Sequence, residues 1–174
     1  MQREQIRILA INPGSRYLAF AVFYETDLRE WKIHAVRQGP FREKAKDLRL
    51  LISDIVARYG INTLATKELH PSRSSKGLRN LALTIKHLGK EMRLKVCEFP
   101  LNEVEGHFFP GERTNKRELM EQVASRYPFL FPEFRREQES KHPYLIRMFE
   151  AIAIGVVCCS KLDSTKRKVG GSSN

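Results

Sequence analysis

Ile8-Leu9-Ala10-Ile11-Asn12-Pro13-Gly14-Ser15-Arg16-Tyr17-Leu18-Ala19-Phe20-Ala21-Val22 is the stretch on which the reading of this chain turns. The segment Ile6–Pro13 runs through consecutive apolar residues, as a strand buried on both faces does. Pro13-Gly14-Ser15 has the chemistry of a turn. Leu18–Tyr24 reads as a second strand, and the short separation makes the two a hairpin. The buried strand ends on a polar residue, Asn12, where the chain turns. From such a position many α/β proteins present a side chain to metal or phosphate.

Working outward, Trp31–Arg37 alternates and is expected to be a third strand, stopped by Gly39-Pro40. Glu43–Tyr59 carries Leu48, Leu51, Ile52, Ile55 and Val56 at helical spacing and ends at Gly60. Thr63–Leu69 is a fourth strand, followed by a polar loop from His70 to Lys76. Leu78–Arg93 is a second helix and Lys95–Phe99 a fifth strand. Asn102–Asn115 reads as irregular. Lys116–Arg126 reads as a helix capped by Thr114 or Asn115. Pro128–Ser140 is expected to be a loop and Pro143–Cys159 a final apolar helix. The expectation is one domain over residues 1–160 and a basic, disordered tail over 161–174. Three antiparallel strands followed by βα units imply an α/β fold with a mixed five-stranded sheet and helices on both faces.

Composition narrows the function. A chain of 174 residues can build one ordinary core, and 41% hydrophobic residues excludes disorder throughout. No apolar run reaches the ~20 residues of a membrane span, and no signal peptide is read at the start. Three cysteines, Cys97, Cys158 and Cys159, make no disulfide framework, and no cysteine–histidine spacing suggests zinc. Reduced cysteines and a cytoplasmic location are expected. The net charge of +11 suits a polyanionic partner such as a phosphate backbone.

Three segments together resemble the RuvC Holliday junction resolvases, over roughly residues 6 to 160. The opening hairpin is similar to that family's first motif, a hydrophobic strand leading into Asp-Pro-Gly-Ser-Arg. Phe108–Leu119 is similar to its glycine-containing turn and helix-opening lysine, with Lys116 in the lysine's place and Arg113 and Arg117 beside it. Met148–Val157 is similar to its closing Asp-Ala-Leu-Ala helix, with Glu150 as the last acid. The resemblance implies a ribonuclease-H-like fold and binding of branched, Holliday-junction-type DNA by a homodimer, in recombination and repair. It also implies acidic ligands for divalent ions such as Mg2+.

The sequence departs from that pattern where the metal would sit. Asn12 replaces the first acid, Lys67 the second and Arg147 the third, with His142 too distant to substitute. Glu68 adjoins Lys67, but alternation sends it to the opposite face unless a bulge intervenes. The candidate site is therefore Asn12, Lys67, Glu68, Arg147 and Glu150, with Glu150 and Glu68 as the candidate metal ligands. It is expected to hold phosphate more readily than Mg2+. Arg16, Arg73, Ser74, Ser75, Lys76, Arg113, Lys116 and Arg117 are the candidate nucleic-acid contacts. Three functions follow as alternatives: a junction-binding protein with weak or no nuclease activity, a Mg2+-dependent endonuclease with an atypical site, and a non-catalytic assembly scaffold.

Overall fold

Alternation along the first strands sorts the apolar residues into two layers. Ile8, Ala10, Ala19, Ala21 and Ala65 belong to one buried cluster, while Leu9, Ile11, Leu18, Phe20, Val22 and Leu64 belong to the other. The computed structural model describes residues 4–141 and 144–171. Its sheet has the order β3-β2-β1-β4-β5. The strands are β1 (Arg7–Asn12), β2 (Tyr17–Tyr24), β3 (Asp27–Ala35), β4 (Thr63–Lys67) and β5 (Lys95–Phe99). The first three are antiparallel, β4 runs parallel to β1, and β5 parallel to β4. Strand β1 is central, so both its faces must be apolar, which is why its sequence does not alternate.

Helices α1 (Phe41–Tyr59) and α2 (Lys76–Glu91) cover one face through Leu48, Ile52, Ile55, Leu81, Ile85 and Leu88. The other face carries α3 (Leu101–Phe108), α4 (Lys116–Arg126), α5 (Phe131–Glu139) and α6 (Ile146–Gly170). In register across the sheet, Ala21, Ala10 and Ala65 form a shallow floor under α6. The helix answers with its own small residues. A Cβ added at Gly155 would collide with the Phe23 ring, so this close approach requires glycine.

The structure corrects several boundaries. Strand β3 begins at Asp27, four residues before Trp31. Glu25 takes the left-handed conformation (φ 54°) that makes the preceding turn, so no glycine marks it. The first part of Asn102–Asn115, all of it read as irregular, belongs to α3 (Leu101–Phe108), led in by Pro100 with its restrained φ. Pro128–Ser140, read as a loop, is a 3₁₀ turn (Pro128–Leu130) followed by α5. Its prolines occupy first-turn positions, where no amide is needed. The final helix starts at Ile146 and continues to Gly170, so the stretch from Lys161 read as a disordered tail is helical. Residues 172–174, and His142 with Pro143, lie outside the described residues. Among the described residues, no helix is long and apolar enough to cross a membrane.

Candidate functional site at the carboxyl edge of the sheet

Asn12 is the last residue of β1, and alternation turns its side chain to the α6 face, like Ala10 and Ile8. Ile11 lies opposite Thr66 in the parallel register, which sets Lys67 beside Asn12 at the carboxyl ends of adjacent strands. The first turn of α6 passes over this edge. Arg147 and Glu150, three apart, share a helix face there.

The polar groups close on one another. Asn12 Nδ2 donates to Glu150 Oε2 at 2.8 Å and to the Arg147 carbonyl at 3.2 Å. Lys67 Nζ lies 3.6 Å from the same Glu150 oxygen. Asn12 is 2% exposed and Glu150 6%, while the Lys67 side chain keeps 23% of its surface. A buried carboxylate needs such partners, because an isolated one is expensive to desolvate. Asn12 is also specified by its neighbours. Both face it with acceptor oxygens, so the position calls for a donor, and an aspartate there would meet oxygen with oxygen.

Arg147 departs from expectation. Its carbonyl, not its guanidinium, serves the cluster. The guanidinium lies against Gly14 in the hairpin turn, where an added Cβ would collide with it and with the Tyr17 carbonyl. Glu68 is exposed, lies just past the end of β4, and donates its backbone N–H to the Phe99 carbonyl. Among the described residues, no hydrogen bond or ion pair joins it to Glu150. Mg2+ takes hard oxygen ligands in near-octahedral order. Here one carboxylate faces an amide and an ammonium, and this donor set does not fit a divalent ion.

The basic candidates gather around the same edge. Arg16 is exposed in the β1–β2 turn. Arg73 is exposed and Ser74 half-buried in the loop after β4. Ser75 caps α2 by accepting from the Leu78 N–H at 3.2 Å, and Lys76 opens that helix. Arg79 holds the loop by donating to the carbonyls of Pro71 and Ser74 at 2.6 and 3.1 Å, a role that sequence reading missed. Arg113, Lys116 and Arg117 are exposed around the start of α4. A full capping box, Asn115 with Glu118, builds that start. Arg126, in the last turn of α4, and the β2–β3 turn residue Thr26 line one cavity at the opposite edge. Hence α4 runs from the carboxyl edge, as α2 and α6 do. The N-termini of α2, α4 and α6 therefore face this side, each with its positive dipole end.

Two aromatic residues at this rim also escaped the sequence reading. Tyr17 and Tyr144 are 44% and 50% exposed, with ring centroids 6.0 Å apart. Nothing short of the fold pairs the start of β2 with the approach to α6. At the far edge, Glu25, Cys159 and Asp163 bring one ligand atom each within 4.8 Å of one another. Burial, then Asp163 and Glu25, push the Cys159 thiol up to about 11, and Arg126 and Arg167 line the adjoining cavity.

Solved resolvases share this architecture. Thermus thermophilus RuvC in complex with a Holliday junction substrate superposes with a TM-score of 0.69 at 15% identity, covering 92% of this chain and 97% of that one. Another structure of Thermus thermophilus RuvC gives 0.70 at 14% identity, with 92% and 98% covered. The yeast mitochondrial Holliday junction resolvase Ydc2 gives 0.63 at 9% identity, covering 94% of this chain and 82% of its own. No protein-family model and no curated protein sequence matches the chain. At these identities the likeness is one of fold: the chain has the ribonuclease-H-like α/β architecture of the RuvC resolvases, with a mixed five-stranded sheet and helices on both faces.

Proposed function

We propose that this protein binds branched, Holliday-junction-type DNA through the carboxyl edge of its sheet, with weak or no nuclease activity. The observation that carries this reading is the closed cluster of Asn12, Lys67 and Glu150. It puts a single, already partnered carboxylate where paired hard cations would need several anionic oxygens. Within the cluster the Lys67 ammonium offsets the Glu150 carboxylate, and the Arg147 guanidinium beside Gly14 adds a further positive charge at its rim. With Glu150 closed off by Asn12, a backbone phosphate would sit at the rim, over the Lys67 ammonium and the Arg147 guanidinium. Arg16, Arg73, Lys76, Arg113, Lys116 and Arg117 extend this basic field, and Ser74 and Ser75 offer hydroxyls. Junction binding by the fold-related Thermus thermophilus RuvC supports the choice of DNA form, and a homodimer would match the two-fold symmetry of a four-way junction.

The test compares binding and cleavage of one four-way junction with and without Mg2+ or Mn2+. Salt-dependent binding without cutting is the expected result. Metal-dependent cutting that disappears in Glu150→Ala would replace this reading with that of an atypical endonuclease. Absence of binding even at low salt would leave an assembly scaffold.

A further inference from the structure

Of the five tyrosines, Tyr24, Tyr59 and Tyr127 are anchored by their hydroxyls, which donate to the Tyr59 carbonyl, the Glu30 carboxylate and the Thr26 carbonyl. Among the described residues, no hydrogen bond holds the hydroxyl of Tyr17 or Tyr144. Their rings meet only each other, with centroids 6.0 Å apart and planes inclined at 44°. The other exposed aromatic rings are Phe41 and Phe129. Phe129 is packed against Trp31 at 5.1 Å. Phe41 opens α1 beside Ser15 of the β1–β2 turn, in a cavity that the start of α2 also lines. Three of these four rings therefore stand along the carboxyl edge.

Cations accompany the tyrosine pair. Arg16 precedes Tyr17 and is exposed, as is Lys141, three residues before Tyr144. The Arg147 guanidinium and the Tyr17 carbonyl both crowd the place that a Gly14 Cβ would take, so this guanidinium lies against the start of β2.

We propose that Tyr17 and Tyr144 take an unpaired nucleobase between their rings. The preferred ligand of this edge is then branched DNA with unpaired nucleotides at the branch point, rather than a fully paired junction. The proposal rests on the reading of the carboxyl edge as the DNA-binding face. Bases within a duplex cover one another's faces, whereas an unstacked nucleotide presents its own. Every base has such a face, and aromatic rings beside backbone-tracking cations are what binds it. The spacing is close to what is needed. Stacked bases lie about 3.4 Å apart, so a base between two rings sets them roughly 7 Å apart. From 6.0 Å the pair has to open by about 1 Å and turn towards parallel. Exposed side chains change rotamer within nanoseconds, and here no hydroxyl bond has to break.

Two ligands of common sequence are compared by fluorescence anisotropy at one salt concentration. One is a fully paired four-way junction, the other the same junction with a short run of unpaired thymines at the branch point. The second should bind about fivefold to a hundredfold more tightly, the range that stacking of one base confers. With 2-aminopurine in place of an unpaired thymine, binding should quench its emission. Y17A and Y144A should each lose the preference while binding the paired junction within about twofold of the wild type, because stacking is absent there. Y17F and Y144F should keep it, because the ring faces and not the hydroxyls hold the base. Equal affinity for the two junctions, unchanged 2-aminopurine emission on binding, or an equal loss on both junctions in the alanine variants overturns the proposal and leaves junction binding standing. Absence of binding to either junction at low salt overturns both.

Discussion

Glu150→Gln keeps the shape of the cluster and removes its negative charge. The glutamine carbonyl can still accept from Asn12 Nδ2, which now donates to Glu150 at 2.8 Å. The ion pair with Lys67, at 3.6 Å, is lost. At an effective dielectric near 20 the gross attraction across that distance is about 4–5 kcal/mol. Most of it is offset by the desolvation of a buried carboxylate that the glutamine no longer requires. The Lys67 side chain, 23% exposed, can turn to water. The net loss should be about 1–2 kcal/mol, or roughly 2–8 °C in Tm for a domain of this size. Junction affinity should hold or rise, because the site becomes more positive. Calorimetric unfolding and a salt titration of junction binding measure both quantities. A tenfold loss of affinity with the fold intact would show that the carboxylate itself serves the DNA, and the phosphate-rim reasoning would fail.

Four further outcomes follow from the same structure. In the double variant N12D/K67E three carboxylates meet at the edge; stability should fall without divalent ions and return in part with them. For a site of about 1 mM affinity, 10 mM Mg2+ would restore about 1.4 kcal/mol, against no change in the wild type; a thermal melt with and without Mg2+ decides it. Alanine at Lys76, Lys116 or Arg117 should weaken junction binding and reduce the salt slope by about one for each phosphate contact removed, as filter binding across salt concentrations would reveal. Asn115→Ala breaks the α4 capping box and should cost about 1 kcal/mol by denaturant titration. Burial of Asp47 raises its pKa, but hydrogen bonds from His34 and the Arg37 amide outweigh it and hold the group below its ordinary 3.8. Its contribution to stability is therefore present above that value and lost as pH falls through the folded pKa. Asp47→Asn should flatten the acid limb of the stability curve below about pH 4.

The local chemistry of this chain was legible residue by residue. The unbroken apolar run of β1, the Pro-Gly turn, the stripe of α1 and the cap at Asn115 each announce themselves within a few positions, because periodicity and turn chemistry act over that range. Elements whose signals conflict were hidden. Proline hides the start of α5, and the turn before β3 rests on a glutamate in a conformation usually given to glycine. The candidate residues Asn12, Lys67 and Glu150 were likewise visible as departures from a resembled motif. Their arrangement was not. Sequence can place an arginine three residues before a glutamate, but not say that its carbonyl serves Asn12 while its guanidinium covers Gly14. That division and the meeting of Tyr17 with Tyr144 depend on how α6 lies across the alanine floor. They join residues far apart in the chain, and only tertiary packing fixes such distances.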